Sequence, residues 1–160
     1  MAETDSQRSE ALRAQGNELY RQGKFTDALP LYEQADELAP DDPAPLSNVS
    51  VAHFELGDYK SAVTACDRAL EHQKDEAKRQ KILLRRATSQ IHALELVHAG
   101  ATIEQLADVK AKTDLMKCLA SQSESRRRVQ DTKAVHKMII MDLPRFKPQM
   151  RVKSLSRETK

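Results

Sequence analysis

The sequence predicts an all-α fold: a solenoid of about three stacked helical hairpins, followed by a C-terminal helix. Three observations carry this reading. The 160 residues include only 4% aromatic side chains and four glycines, against many Ala, Leu, Glu, Lys, Arg and Gln, a composition that favours helices over sheets. Small and apolar residues recur at spacings of three and four, as in Leu12, Gly16, Leu19 and Tyr20. The chain also repeats itself. Leu12 recurs as Leu46, Gly23 as Gly57, Phe25 as Tyr59, Ala28 as Ala62 and Ala35 as Ala69, every time at an offset of 34.

Taken in order, residues 1–8 are expected as a flexible N-terminus and 9–120 as the repeat domain. The first helix carries Gly16 and Asn17 side by side in its interior. Gly costs about 1 kcal/mol there against Ala and Asn a few tenths, so the pair needs a reason beyond helix formation. Gly16 reads as a close-approach position. "QGKFTDA" is the turn, with Gly23 free to take positive φ and Thr26 expected as the N-cap. Ala28, Leu31, Tyr32 and Ala35 line the facing stripe of the second helix, Pro30 is expected in its first turn, and Pro40 stops the unit. The second unit runs from about Pro43 to His72 and lacks a closing Pro. The third is expected as a long helix from Asp75 to His98, broken by Gly100, with a partner helix through Ile103, Leu106, Val109, Leu115 and Leu119. The offset into this unit is about three residues longer than 34. Residues 121–142 are expected as a C-terminal helix packing through Val129, Val135, Met138, Ile139 and Ile140, and 143–160 as a basic disordered tail or linker.

A 34-residue period with two helices per unit resembles the tetratricopeptide-repeat family. Within it, the chain is similar to the co-chaperone subclass whose groove grips the C-terminal Glu-Glu-Val-Asp tail of heat-shock chaperones of the Hsp70 and Hsp90 class. By that resemblance Arg13, Asn17, Asn48, Lys81 and Arg85 are the peptide-binding residues, a dicarboxylate clamp on the first helix of each pair. Arg13 stands where the family usually has Lys, and Ser50 where it usually has Gly or Ala.

The chemistry suits these residue types. A C-terminal Asp presents two carboxylates close together, and three cations with two amides can compensate their desolvation. Lys and Arg on amphipathic helices are ordinarily just solvated. Five residues in matching slots of three units, two of them Asn that helices disfavour, point instead to a site. Asn17→Ala is accordingly expected to weaken binding while leaving the helix as stable or more so.

Charge and motifs bound the remaining readings. The net charge of +2 divides into a mildly acidic body and a tail that carries six bases and one acid from Leu143 onward. The polar start "MAETDSQRSE" is not expected to serve as a signal peptide, and no apolar run is long enough to span a membrane. Cys66 and Cys118 read as reduced thiols of a cytoplasmic or nuclear protein, and neither they nor the five His show metal-ligand spacing. The Arg126–Arg128 run lacks the interleaved aromatics of a nucleic-acid surface. With no Gly-rich phosphate loop, nucleophile elbow or catalytic acid pair, the expectation is a monomeric, non-enzymatic interaction module with no cofactor, no nucleic acid and no membrane. The alternative is a repeat module within a larger protein, of zinc-finger or methyltransferase type, whose groove binds another partner.

Overall fold

The structure is a computed structural model that describes residues 4–142, with side chains described to residue 134. Seven helices follow one another: α1 (Asp5–Arg21), α2 (Phe25–Leu38), α3 (Pro43–Glu55), α4 (Tyr59–His72), α5 (Glu76–His92), α6 (Leu96–Glu104) and α7 (Val109–Asp142). No strand occurs among the described residues. The chain divides into two compact units, Met1–Glu124 and Ser125–Lys160. The expected tail at 143–160 lies outside the described residues, as does the packing expected of Val135, Met138, Ile139 and Ile140. Val129 is exposed rather than packed.

Helix starts follow local chemistry. The helix begins at Asp5, inside the expected flexible segment 1–8, because Thr4 and Gln7 form a reciprocal capping box. Asp42, Asp58 and Asp75 cap α3, α4 and α5 by accepting from the backbone N–H of Ala44, Ser61 and Lys78. Thr26, expected as a cap, lies inside α2, whose N-cap is Lys24 with no side-chain bond. The reason is the turn: Gly23 at φ +75° ends the preceding segment one residue before Lys24. Pro30 likewise falls in the second turn of α2, where its side chain is exposed and the carbonyl it cannot pair can face water.

Lys24 and Asp58 occupy equivalent positions with nearly the same backbone, φ −86°, ψ 63° against φ −84°, ψ 72°. Asp at position 24 can therefore copy the cap of α4. We expect Lys24→Asp to raise unfolding stability by about 1 kcal/mol in a urea melt. No change would mean that the α2 start is frayed or otherwise satisfied.

The third hairpin departs from expectation. The helix does not run from Asp75 to His98: α5 stops at His92, and Gly100 lies within α6. Leu94 makes the reversal instead, at φ +62°, where the first two hairpins use Gly23 and Gly57. A Leu in this region costs about 1–2 kcal/mol, and without a Gly the turn carries no local signal. The stretch expected as one partner helix is thus split between α6 and the start of α7, and the boundary expected between residues 120 and 121 falls inside α7.

Packing is layered along the stack. Ala28, Tyr32, Val49, Ala52 and Ala65 form one core cluster, and Leu46, Cys66, Ala69 and Ile82 the next. Ala87, Ile91, Ala99 and Ile103 form a third, covered by Leu115, Met116 and Leu119 at the start of α7. Ala at the crossing points lets helices approach closely. The consequence for function is that α1, α3 and α5 lie side by side and build one wall-lined surface.

Candidate functional site

A groove of about 580 Å³ opens where α1, α3 and α5 meet. Arg13, Asn48, Lys81 and Arg85 line it together, so one opening collects four of the five residues expected from the sequence. Lys78 joins them. It was missed, although it shares the stripe of Lys81 and Arg85 at helical spacing. Asp41, Asp42 and Asp75 lie at the same opening, but Asp42 and Asp75 are committed as helix caps.

Arg85 is anchored across the groove wall on α3. Its Nη1 donates to the Ser47 carbonyl (3.1 Å), Ser47 Oγ (3.3 Å) and Ser50 Oγ (3.0 Å), all across on α3. Ser50 Oγ in turn donates to the Ser47 carbonyl at 2.7 Å. This accounts for Ser50: Gly or Ala would fit the crossing equally well but could not hold the guanidinium. Burial pushes the Arg85 pKa below its ordinary value. None of the ion pairs among the described residues uses Arg85 or Lys81. A half-buried cation held only by neutral oxygens is incompletely compensated, and a carboxylate entering the groove would complete it.

Arg13 differs. Its Nη2 donates to both carboxylate oxygens of Glu10, one turn earlier on α1, at 2.6 and 2.5 Å. That hydrogen bond raises the Arg13 pKa and lowers that of Glu10. Its Nε is buried with no hydrogen-bond partner.

Asn17 is half-buried behind this surface and is absent from the groove wall. Its Oδ1 accepts from Tyr32 Oη at 2.9 Å and from Asn48 Nδ2 at 3.0 Å. Burial raises the Tyr32 phenol above its ordinary pKa, so it remains a donor. Asn17 therefore fixes Asn48 at the groove while also satisfying a buried hydroxyl. This changes the expectation for its replacement. Asn17→Ala leaves the Tyr32 hydroxyl unpaired in a site where Tyr32 is only 2% exposed, at a cost of about 1–3 kcal/mol against a helix-propensity gain of a few tenths. A denaturant melt should show a loss of about 1–2 kcal/mol, together with weaker ligand binding. An unchanged melt would show that another acceptor takes over the hydroxyl.

Further polar pairs tie helices to one another along the stack, α4 to α2, α5 to α4 and α1 to α3. Arg68 bonds Asp36 at 2.8 Å, Arg86 pairs with Asp67 at 2.6 Å, and Tyr20 Oη donates across to Glu55 on α3 at 3.2 Å. Cys66 is buried, which pushes its thiol pKa up, and Cys118 is exposed. Among the described residues no group of three or more His, Cys, Asp or Glu is placed to hold a metal, and no helix is long and apolar enough to cross a membrane.

Comparison with known proteins agrees with this architecture. Residues 19–87 match the family model described as tetratricopeptide repeat. The chain is 39% identical over 79 residues to the mitochondrial import receptor subunit TOM70 of Saccharomyces cerevisiae, covering 49% of this chain and 12% of that protein. It is 38% identical over 60 residues to the Hsp70-Hsp90 organising protein of Plasmodium falciparum, covering 38% of this chain and 11% of that one. The matched segments thus span only about a tenth of these relatives. Among solved structures, the first TPR of Spaghetti (RPAP3) bound to HSP90 peptide SRMEEVD superposes with a TM-score of 0.64 at 23% identity, over 75% of this chain and 99% of that one. The fold is that of tetratricopeptide-repeat domains.

Proposed function

We propose that this chain, whose residues 19–87 match the tetratricopeptide-repeat family and whose fold is that of its domains, is a chaperone-tail adaptor. Its groove binds the free C-terminus of an acidic peptide of the Hsp90 or Hsp70 class. Lys81 and Arg85 meet the two carboxylates of the last Asp, Arg13 adds a third cation, and Asn48, positioned by Asn17, donates to the peptide. Lys78 adds charge at the mouth. The observation that carries this reading is Arg85: a cation held by Ser47 and Ser50, in a groove shared with Arg13, Asn48 and Lys81, with no acid of its own. The domain in RPAP3 that shares this fold was solved with such a peptide. The protein acts as a monomer in the cytosol, where such tails are found, and delivers no chemistry of its own.

A titration of the isotope-labelled chain with SRMEEVD tests this. Amide shifts should concentrate on α1, α3 and α5, around positions 13, 17, 48, 81 and 85. Shifts confined to α2, α4 or α6 would place the peptide elsewhere and overturn the assignment.

A further inference from the structure

Of the three groove cations expected from the sequence, Arg13 alone is paired with an acid: both oxygens of Glu10 lie within hydrogen-bond distance of its Nη2. Glu10 itself is largely exposed, whereas only 25% of the Arg13 side chain is. The Arg13 head therefore stays at the groove while Glu10 is free to leave. With Nε buried, a ligand carboxylate has only the two Nη groups to reach, and Glu10 already holds Nη2.

We propose that Glu10 is an internal competitor for the groove, holding Arg13 in the free protein and being displaced from it by the terminal carboxylate of the incoming peptide. The idea rests on the carboxylate-binding reading above and adds a regulating residue to it. Glu10 holds N–H groups that a ligand carboxylate would otherwise take, so the protein presents its full set of cations only to a partner able to outcompete a side chain. An acid of the ligand's own class is the suitable competitor, since it yields to a doubly charged terminus and not to a neutral one. The exposed location keeps the competition mild, because a solvated ion pair is worth little.

Calorimetric titration of the full chain with SRMEEVD provides the test. Glu10→Gln should tighten binding about two- to fivefold. Glu18→Gln makes the same change of charge on the same helix, but at a carboxylate paired with Arg21 at 2.6 Å rather than with a groove residue, and should leave affinity unchanged. In an Arg13→Ala background the gain from Glu10→Gln should vanish. Equal or weaker binding by Glu10→Gln, or a gain that survives Arg13→Ala, would overturn the competition. If wild type binds the acid and amidated forms of the peptide equally, the carboxylate reading itself fails, and displacement of Glu10 falls with it.

Discussion

Replacing Arg85 by Met should abolish measurable binding of an acid-ended peptide while leaving the protein as stable as before, or more so. The two halves of this result have separate physical causes. Affinity falls because charge-assisted hydrogen bonds to carboxylate are worth about 1.5–3 kcal/mol each, and Arg85 can make two. A loss of about 3 kcal/mol takes a complex of about 1 μM to roughly 0.2 mM, and loss of both bonds at the upper end takes it beyond detection. Stability holds because the folded protein keeps this cation half-buried among serine oxygens without an opposing acid. Removing it relieves desolvation, and Met fills the same volume. Ser50 is not orphaned, since its hydroxyl already donates to the Ser47 carbonyl. Calorimetry and a thermal melt on one preparation decide the matter. Retained affinity would remove Arg85 from the site, and a large fall in melting temperature would make it a structural residue.

Gly16→Ala is the second large effect, and it acts through packing. A Cβ at this position would stand 2.6 Å from Tyr32 Cε1 and 2.8 Å from Cδ1. Those ring atoms can yield only by disturbing the cluster that Tyr32 forms with Ala28, Val49, Ala52 and Ala65. Overpacking of this kind costs about 1–3 kcal/mol, offset by about 1 kcal/mol of helix propensity. A displaced Tyr32 also loses Asn17, and through Asn17 the hold on Asn48. The expected result is a net loss of about 1–2 kcal/mol accompanied by weaker peptide binding. Gly100→Ala supplies the contrast. Its nearest neighbour to a new Cβ is Leu119 Cδ2 at 3.7 Å, an ordinary contact, so this change should stabilise by about 0.5–1 kcal/mol. If both substitutions behave alike, the close approach at Gly16 is not what its helix requires.

These two glycines also show how far the sequence could be read. The 34-residue offset and the small residues at crossing points marked the first two hairpins, because their turns use Gly23 and Gly57 at positive φ. The third hairpin turns on Leu94, against its conformational preference, and Gly100, the expected breaker, lies inside α6. The N-cap of α2 was misplaced for a similar reason: Lys24 holds that position without offering an acceptor.

At the site, the residue types and their slots pointed to the groove, and Arg13, Asn48, Lys81 and Arg85 do share one. What could not be read was how they are held. Tyr32 reaches Asn17 from 15 positions away and Ser50 reaches Arg85 from 35 away, contacts that no helical period announces. Ser50 alone left a trace, standing where tetratricopeptide repeats usually have Gly or Ala. Glu10 could have been found from its spacing to Arg13, since an acid three residues before a base on a helix is an ordinary pair.

The central claim is that the groove recognises a free carboxyl terminus. The most direct measurement is calorimetry of the full chain against SRMEEVD with a free C-terminus and against the same peptide amidated there. The two ligands differ by one charge at the atom that the claim depends on. The expected result is micromolar affinity for the acid and a loss of at least tenfold for the amide. Equal affinity for the two would contradict the account.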